Sequence, residues 1–585
     1  MRFVGIAASP GIGLGPIYRM EPEEFTVRDA AVTAEAVDHE VERFRLAIEA
    51  SRHDLVRIRD GIATELGETE ARIYDAQTLI LDDPELLSAV EEGVRVERRY
   101  PGWVFSRHMS AVAARLDSVE DAYLRERRAD VLDVERRVLR HLMGRGQRVL
   151  PGLDHPVVIV AHELGPSEVA VLQPDRVLAF VTEVGGRTSH SAIVARGRGI
   201  PAVLSARGVM QQVKTGDRGA VDGYAGTVEI NTNAETEAFY RARGEQLAQE
   251  ARELRTLRTE PAITLDGCGV ELGANIELPT EADQVLAAGA DGVGLFRTEF
   301  FYLGRLELPS EEEQFEAYRS VAERLNPRPV IFRTMDLGGD KVASYLGMTH
   351  ETNPFLGWRG IRFALHHPEV FRSQIRAIYR ASAHGRVRMM FPMVSNEDEL
   401  LLAKRLCAEV AADLARAGIP HDPDLEIGVM VETPSAVWLA DVLSRHARFL
   451  SIGSNDLTQY TLAIDRDNER LAHLYEPLSP AVLRSIRHTI EAGHAAGRWV
   501  GICGEMAGEP RTALLLLGLG VDELSMSCFD LPRVKAAIRS VRASALRELA
   551  REALELPSAA AVKELLHERV EIMLPSFLVA KRTPL

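Results

Sequence analysis

The sequence predicts a multidomain α/β protein in which an α/β domain with an inserted helical bundle precedes a C-terminal (β/α)8 barrel. Three observations predict this architecture. The chain has 585 residues, several times the usual length of a single domain. A long, charged and glycine-poor segment interrupts glycine-punctuated sequence near the N-terminus. After Pro261, eight strand-like runs alternate with helical patterns, which is typical of a (β/α)8 barrel.

The N-terminal part of the chain combines two kinds of sequence. Residues 1–20 and the region after 145 contain short apolar runs separated by glycines, which favour strands. Between them, apolar residues recur every three or four positions in charged sequence, which indicates packed helices. One such series is Val37, Val41, Phe44, Ile48, Leu55 and Ile58, and another is Leu124, Val131, Val134, Val138 and Leu142. We therefore expect a helical bundle inserted into an α/β domain.

The predicted barrel follows a polar helical stretch. Its strand-like runs are VELGAN, GVGLFRTE, VIFRTMD, VRMMFPMV, EIGVMVET, FLSIGSND, VGICGEM and ELSMS. Helical patterns such as EEEQFEAYRSVAERL separate them. The predicted domain limits are 1–20 with 145–230 for the α/β domain, 21–144 for the helical insertion, 231–260 for a linker helix, and 261–585 for the barrel.

Charge, apolar runs and cysteine spacing argue against nucleic-acid-binding, secreted, membrane-spanning and disulfide-rich proteins. A net charge of −17 argues against a nucleic-acid-binding surface. The N-terminus lacks the charged start and unbroken apolar core of a signal peptide, and no run approaches the roughly 18 apolar residues of a membrane span. The cysteines are scattered, without the spacing of a disulfide framework or a metal site. We expect a cytoplasmic protein without membrane insertion or nucleic-acid partners.

Arginines lie at the carboxyl ends of the predicted barrel strands, where such barrels carry their active sites. Arg297 and Arg333 end the second and third strands, so their guanidinium groups can converge on one phosphate or carboxylate. Further candidates in later loops are Arg359, Arg362 and Arg466. The alternative is that each arginine forms an ordinary surface salt bridge.

Two carboxylates and one thiol end further strands. Glu432 and Asp456 follow the fifth and sixth strands, and two hard oxygen ligands with room for water and substrate suit Mg²⁺ better than zinc. The alternative is that both only pair with nearby arginines. Cys503 ends the seventh strand, in GICGEMAG. A lone cysteine is usually a small core residue, but beside anion and metal ligands a thiol can donate a proton.

A second candidate site lies in GGRTSHSAIVARG, residues 185–197. We expect a helix from about Ser189 to Gly197 with Thr188 or Ser189 as N-cap, which places His190 in the first turn. Free N–H groups and the positive end of the helix dipole would stabilise a phosphoryl group on the imidazole. A neutral imidazole is a free nucleophile at neutral pH. The alternative is a histidine held by hydrogen bonds of the capping region.

Several motifs together resemble Enzyme I of the phosphoenolpyruvate (PEP):sugar phosphotransferase system. They are ASPGIGLG, GGRTSHSAIVARGRGIPAV, GADGVGLFRTEF, RTMDLGGDK, NPFLGWRGIR, MFPMV, GVMVETP, SIGSNDLTQYTLAIDR and GICGEMAG. The resemblance covers nearly the whole chain. It implies that the α/β domain is a phosphohistidine domain and that the barrel is a PEP-binding TIM barrel.

The resemblance also implies an activity. The enzyme would transfer the phosphoryl group of PEP to His190 and then to the phosphocarrier protein HPr, releasing pyruvate, as the first step of bacterial sugar transport. Implied PEP contacts are Arg297, Arg333, Asn455, Asp456 and Arg466; implied Mg²⁺ ligands are Glu432 and Asp456; and Cys503 would protonate the enolpyruvate. The helical insertion would dock HPr, and the barrel would form a homodimer.

Two rival functions share parts of this pattern. A pyruvate-phosphate dikinase or a PEP synthase has a similar histidine domain and barrel, but it needs a nucleotide-binding domain, and a helical insertion is the wrong element. The other rival is a regulatory scaffold with an inactive barrel, which the intact strand-end residues argue against. Whether the carrier serves sugar uptake or regulation stays open.

Overall fold

The structure is a computed structural model. It describes residues 1–585 except 22–24, 26, 66–67, 118–121, 145–154, 165–167, 170–171, 173–174, 186–189, 303–306, 339–350, 352, 467, 469, 576–577 and 579–585. The chain divides into two compact units, Met1–Ala248 (the N-terminal unit) and Gln249–Leu585 (the C-terminal unit). This division falls within the helix Ala234–Thr256. The predicted domain limits stay a prediction, whereas the predicted fold class is confirmed by the elements below.

Helices of the predicted insertion occupy the first part of the N-terminal unit. Their bounds are Val37–Glu65, Glu68–Leu81, Pro84–Glu97, Pro101–Asp117 and Ala122–Leu142. Apolar side chains that recur every three or four residues along the first and last of these helices are buried, including Phe44, Leu55 and Val138. The periodic pattern therefore reports an inner helical face, as expected for an amphipathic bundle.

A mixed sheet forms the rest of the N-terminal unit. Its strands are β1 (Arg2–Val4), β2 (Ile6–Ser9), β3 (Ile12–Met20), β4 (Val157–Ala161), β5 (Val177–Thr182), β6 (Ala202–Leu204), β7 (Arg218–Asp222) and β8 (Thr227–Ile230). They lie in the order β1-β8-β7-β3-β4-β5-β6-β2, and β3 through β6 pair in parallel. Strands from residues 1–20 thus share one sheet with strands that follow the helical insertion.

The helices after β5 include the one that carries the candidate histidine. The N-terminal unit contains the helices His190–Arg198 (the histidine helix) and Val209–Gln212, and the helix Ala234–Thr256 contains the division between the units. The polar stretch predicted at 231–260 is therefore helical over most of its length. None of the described helices has both the length and the apolar character needed to cross a lipid bilayer.

A closed parallel barrel forms the C-terminal unit. Its strands are β9 (Glu271–Ile276), β10 (Gly292–Arg297), β11 (Val330–Arg333), β12 (Val387–Phe391), β13 (Glu426–Val431), β14 (Phe449–Gly453), β15 (Trp499–Cys503) and β16 (Glu523–Met526). Each pairs in parallel with the next, and β16 closes onto β9. Each of the predicted strand runs overlaps one of these strands, and β9 and β15 each extend one residue beyond the run.

Helices surround the barrel. Their bounds are Ala282–Ala288, Glu311–Leu325, Ile361–His366, Pro368–Ala381, Glu397–Arg416, Pro434–Trp438, Ala440–His446, Ser454–Leu462, Pro480–Ala495, Glu505–Gly508, Pro510–Leu519, Leu531–Arg539, Ala543–Glu555 and Ala559–Val570. Apolar side chains fill the space between them and the strands. A smaller cluster that includes Leu295, Met390, Met430 and Cys503 fills the barrel interior, so the barrel is a packed core whose open end is its carboxyl rim.

A buried carboxyl group near the amino end of the barrel leads to a stability prediction. Burial and, to a smaller extent, the nearby carboxylate of Glu271 together raise the pKa of Glu523 to about 7. Because the pKa is higher in the folded state, folding is favoured while the group is protonated, and that contribution is lost as the pH rises through about 7. Glu523→Gln should therefore stabilise the barrel by about 2–3 kcal/mol at pH 9 and have little effect at pH 5.

The measurement is the urea midpoint of the barrel transition at both pH values. Glu426→Gln is the control, because Glu426 also lies at the start of a barrel strand, β13, but its side chain is 44% exposed. A stabilisation by Glu523→Gln that is equal at both pH values would contradict the assignment of the raised pKa.

Candidate active site

A cavity of about 590 Å³ opens at the carboxyl ends of the barrel strands. Its described lining includes Arg297, Arg333, Glu432, Asn455, Asp456, Arg466 and Cys503, together with Glu277, Leu295, Glu299, Phe300, Asp336, Arg359, Met430, Gly453, Tyr475, Gly504 and Glu505. The structure thus brings together Arg297, Arg333, Glu432, Asn455, Asp456, Arg466 and Cys503, whereas Arg362, a further candidate for anion binding, does not line the cavity. They come from strands far apart in the chain, and barrel closure alone explains their convergence.

Arg297 and Arg333 lie side by side at the rim. They are register partners on the parallel strands β10 and β11. Arg297 is half-buried, and its Nη1 donates a hydrogen bond to Oε1 of Glu277 at 2.7 Å. Arg333 is buried and donates from Nη2 to Oε1 of Glu299 at 2.6 Å. Two adjacent guanidinium groups, one accessible and one fixed, can bind an anion between them.

The charge of Arg333 is secured by its neighbours. Burial alone lowers the pKa of Arg333, but the carboxylates of Glu299 and Asp336 outweigh this effect and raise the pKa above its ordinary value. Its Nε is buried without a hydrogen-bond partner among the described residues. Arg333 therefore stays cationic and keeps one donor for a ligand.

Asn455, Asp456 and Arg466 follow β14. The strand runs directly into the helix Ser454–Leu462, so Asn455 and Asp456 lie in a helical first turn, one step beyond the strand end that the sequence suggested. The Asn455 side-chain oxygen accepts a hydrogen bond from the backbone N–H of Glu505 at 3.2 Å. The guanidinium of Arg466 has no hydrogen-bond or ion-pair partner among the described residues, which leaves it free for an anion.

In Glu432 and in Asp456, one of the two carboxylate oxygens accepts a hydrogen bond from the protein. Oε1 of Glu432 accepts a hydrogen bond from the backbone N–H of Met393 at 2.6 Å, whereas Oε2 is buried with no partner among the described residues. Oδ1 of Asp456 accepts from Nη1 of Arg359 at 2.7 Å, and its Oδ2 makes no hydrogen bond within the described part of the chain. Each carboxylate thus presents one oxygen that a hard cation could use.

Electrostatics around Glu432 also favour a cation. Burial raises the pKa of Glu432, and the nearby carboxylates of Asp456 and Asp336 raise it further. Six carboxylates and four guanidinium groups line the described cavity, so a multiply charged anion would be repelled unless a cation entered with it. No group of three or more His, Cys, Asp or Glu side chains in the described chain could hold a metal alone. A Mg²⁺ ion here would therefore take further oxygens from water and ligand, as it commonly does.

Cys503 ends β15 inside the barrel. Its Sγ lies 3.8 Å from Oγ of Ser451 and 3.6 Å from the backbone oxygen of Ile452. Burial raises the pKa of the Cys503 thiol to about 11, against a weaker opposing effect of the Ser451 hydroxyl. The thiol is therefore protonated at neutral pH and can act as an acid.

Arg359 and Arg362 differ from the sequence-based suggestion that they clamp an anion. Arg359 is buried, and its guanidinium is occupied by Asp336, Asp456 and Tyr460. Arg362 donates only long hydrogen bonds, of 3.4 and 3.5 Å, to backbone carbonyls and does not line the cavity. The pattern of strand-end arginines could not distinguish an arginine that binds a ligand from one that binds neighbouring carboxylates.

Some lining residues were missed by the sequence analysis. Glu277 lies one residue beyond the end of β9, so the rule that located Arg297 could also have found it. Tyr475 lies far from any strand end and donates a hydrogen bond to the backbone oxygen of Asn455 at 3.1 Å, and nothing in the sequence marks it. Asn275, in β9, accepts a hydrogen bond from Ser525 at 2.6 Å and lines a neighbouring pocket.

His190 is the first residue of the histidine helix, which belongs to the N-terminal unit. Next to it, Oγ of Ser191 donates a hydrogen bond to the backbone oxygen of Leu164 at 2.5 Å. The carbonyl of Gly185, which precedes the helix in the chain, accepts a 2.6 Å hydrogen bond from Oγ of Ser205. The predicted N-caps, Thr188 and Ser189, lie outside the described residues.

Three protein-family models match most of the chain. The PEP-binding domain of PEP-utilising enzymes matches residues 251–543, the N-terminal domain matches 4–127, and the mobile domain matches 153–226. The first match contains the whole described cavity lining, and the third contains His190. Fold, site and matches together define a PEP-utilising enzyme.

Individual relatives narrow this class. The chain is 42% identical over 564 residues to phosphoenolpyruvate-protein phosphotransferase of Staphylococcus carnosus (strain TM300), covering 96% of this chain and 98% of that protein. It is 43% identical over 537 residues to the Bacillus sp. (strain S) protein of the same name, covering 92% and 93%. A solution NMR structure of Enzyme I (nEIt) matches 42% of this chain and 99% of that chain at 34% identity, with a TM-score of 0.36. The chain belongs to the phosphoenolpyruvate-protein phosphotransferase family and is a phosphotransferase.

Proposed function

We propose that this chain transfers the phosphoryl group of PEP to its own His190 and then to HPr, releasing pyruvate, as the first step of the bacterial sugar phosphotransferase system. One observation carries the proposal: the arginines, carboxylates and thiol that this chemistry needs line a single cavity. Relatives of nearly the same length, named phosphoenolpyruvate-protein phosphotransferases, support both the donor and the protein acceptor.

The cavity residues suit binding of a small anion with two acidic groups. Arg297 and Arg333 are adjacent and can hold one acidic group in a forked arrangement. Arg466, without a partner among the described side chains, can hold a second, and the amide of Asn455 lies in the same lining. Phosphoryl transfer needs alignment and charge neutralisation more than covalent help, and these groups supply both.

Glu432 and Asp456 would hold Mg²⁺ through the oxygens that have no hydrogen-bond partner among the described residues. When bound, the ion would neutralise charge on the phosphate and on the enolate that leaves it. The hydrogen bonds from Met393 and Arg359 fix the other oxygen of each carboxylate and so limit how far either ligand can move. The excess of carboxylates over guanidinium groups in the described lining supports the need for the cation.

Cys503 would protonate the enolate of pyruvate. Its raised pKa keeps the proton on sulfur until the enolate, a stronger base, is formed. Ketonisation then makes the transfer from PEP strongly favourable. The thiolate left behind lies in the same cavity as Arg297 and Arg333.

Cys503→Ser should slow pyruvate formation by about 10²–10⁴-fold while leaving PEP binding and phosphate exchange between His190 and HPr within twofold. A hydroxyl is a far weaker acid than a thiol, so solvent would protonate the enolate slowly and without facial control. The measurements are proton incorporation at C3 of pyruvate and exchange with phospho-HPr.

Cys407→Ser is the matched control, because Cys407 is equally buried but lies on the helix Glu397–Arg416, outside the cavity. Protonation by Cys503→Ser at the wild-type rate and with clean stereochemistry would show that another group is the acid. Loss of both activities together would indicate a structural role for the thiol.

His190 would act as the nucleophile. It starts the histidine helix, where backbone N–H groups and the helix dipole favour an added phosphoryl group. His190 belongs to the N-terminal unit and the cavity to the C-terminal unit. We therefore propose that catalysis includes a movement of the N-terminal unit. The 231–260 region would be the linker.

The remaining proposals concern partners and location. The helical insertion, 21–144, would dock HPr; the barrel, 261–585, would form the homodimer; and the enzyme would act in the cytoplasm. Mixing the chain with labelled PEP tests the whole proposal: we expect acid-labile label that passes to HPr without any nucleotide. Label that passes from the chain to a nucleotide and not to HPr would favour the dikinase, and absence of label would favour the inactive scaffold.

A further inference from the structure

A line of five alternating charges crosses the buried floor of the cavity. Arg333 contacts Oε1 of Glu299 through Nη2 at 2.6 Å and Oδ2 of Asp336 through Nη1 at 3.2 Å. Arg359 contacts Oδ2 of Asp336 through Nη2 at 2.9 Å and Oδ1 of Asp456 through Nη1 at 2.7 Å. No side chain in this line is more than 10% exposed. The line connects Arg333, one of the two arginines proposed to bind the anion, with Asp456, a proposed metal ligand.

Arg359 is fixed from two sides. Its Nε and Nη2 donate a forked pair of hydrogen bonds to the two oxygens of Asp336, at 3.0 and 2.9 Å. Its Nη1 donates to Asp456 and, at 3.2 Å, to the hydroxyl of Tyr460. A planar guanidinium held along one edge cannot rotate, so the donor that faces Asp456 has a fixed position.

The backbone at Gly360 also helps to hold Arg359 against Asp336. Gly360 has φ of +59°, and a Cβ atom there would lie 2.8 Å from the Met393 side chain and 3.2 Å from Oδ1 of Asp336. Only glycine allows the chain to turn at this point so closely against Asp336. Arg359 is therefore placed by the local backbone as well as by its ion pairs.

We propose that Arg359, fixed by Asp336, is a positioning residue that orients Asp456 toward the metal ion. Arg359 holds Oδ1 and leaves Oδ2 for the cation, as the Met393 N–H does for Glu432. Because Asp336 also contacts Arg333, the same pair restrains the anion-binding half of the cavity. This inference rests on the proposed function, because it requires that a metal ion binds in the cavity. It assigns to Arg359 a role other than substrate binding.

The test uses Mn²⁺ as the probe and the full-length chain. Binding is measured from the electron paramagnetic resonance signal of free Mn²⁺, without PEP, in wild type and in Arg359→Lys. Lysine keeps the charge but cannot bridge Asp336 and Asp456, so we expect the Mn²⁺ Kd to rise about 10–100-fold, the usual effect of losing a group that orients a metal ligand.

Arg388→Lys is the matched control. Arg388 is a largely buried arginine paired with Glu426 on neighbouring strands, near the amino end of the same barrel, and its substitution should change the Kd less than twofold. In activity assays, Arg359→Lys should raise the Mg²⁺ concentration for half-maximal rate more than it lowers kcat at saturating Mg²⁺. A merely structural defect would lower kcat and stability without raising the Mg²⁺ concentration needed for half-maximal rate.

Asp336→Asn and Tyr460→Phe keep the proposal testable if Arg359→Lys does not fold. The first loosens the fork that fixes Arg359, and the second removes only the hydroxyl that accepts from Nη1; both should weaken Mn²⁺ binding, the second least. Unchanged Mn²⁺ affinity in folded Arg359→Lys would overturn the positioning role and leave the proposed function standing. Absence of Mn²⁺ binding by the wild-type chain would overturn the metal part of the proposed function and this inference with it.

Discussion

His190→Ala is expected to abolish phosphorylation of the chain by PEP, while the barrel still binds PEP. The imidazole is the proposed acceptor, and it is the nucleophile at the start of the histidine helix. Loss of a covalent nucleophile costs about 10⁴-fold or more, so labelling should fall to background. The cavity belongs to the other unit and should be unaffected.

The measurement pairs labelling by radioactive PEP with calorimetric binding of unlabelled PEP. His155→Ala is the matched control, because His155 is an exposed histidine of the same unit, and it should label like wild type. Acid-labile label that persists on His190→Ala would show that another residue is the acceptor. Loss of PEP binding together with labelling would show that the substitution disrupts more than the acceptor.

Glu432→Gln is expected to remove both activity and the response to Mg²⁺. An amide oxygen is a poorer ligand for a hard cation than a carboxylate, and Oε2 of Glu432 is the buried oxygen without a partner among the described residues. The expected fall in turnover is about 10³-fold or more, since the cation neutralises the charge that moves in the reaction. Asp456→Asn should behave in the same way.

Turnover is measured across a Mg²⁺ titration. Glu523→Gln supplies a matched control, because Glu523 is also a buried carboxyl group of the barrel but does not line the cavity. It should keep wild-type turnover and Mg²⁺ response. Near-normal turnover and metal response in Glu432→Gln would show that the metal ligands are assigned wrongly.

The barrel and its rim could be predicted from sequence because their signals are local. Most strands are short apolar runs that end at a polar residue or directly before one, and strand ends such as those at Arg297 and Arg333 must meet once eight parallel strands close. The histidine helix was predicted for a similar reason: a glycine-rich, hydroxyl-rich start leads into an apolar run, and the described helix begins at His190.

Pairing inside the cavity could not be predicted, because it depends on side chains that meet only in three dimensions. Arg359 is separated by 23 residues from Asp336 and by 97 from Asp456, and no spacing rule links them. The sequence therefore grouped Arg359 with the anion-binding arginines, whereas the structure shows its guanidinium occupied by carboxylates. Arg466 looked similar in sequence, but no described side chain pairs with its guanidinium.

A structure of His190→Ala crystallised with PEP and Mn²⁺ would show whether substrate and metal share the barrel cavity. The variant cannot accept the phosphoryl group, so PEP should remain intact in the barrel cavity. We predict that its acidic groups lie within hydrogen-bond distance of Arg297, Arg333 and Arg466, and that anomalous scattering places Mn²⁺ between Glu432 and Asp456. PEP bound elsewhere, or Mn²⁺ that contacts neither carboxylate, would contradict the account.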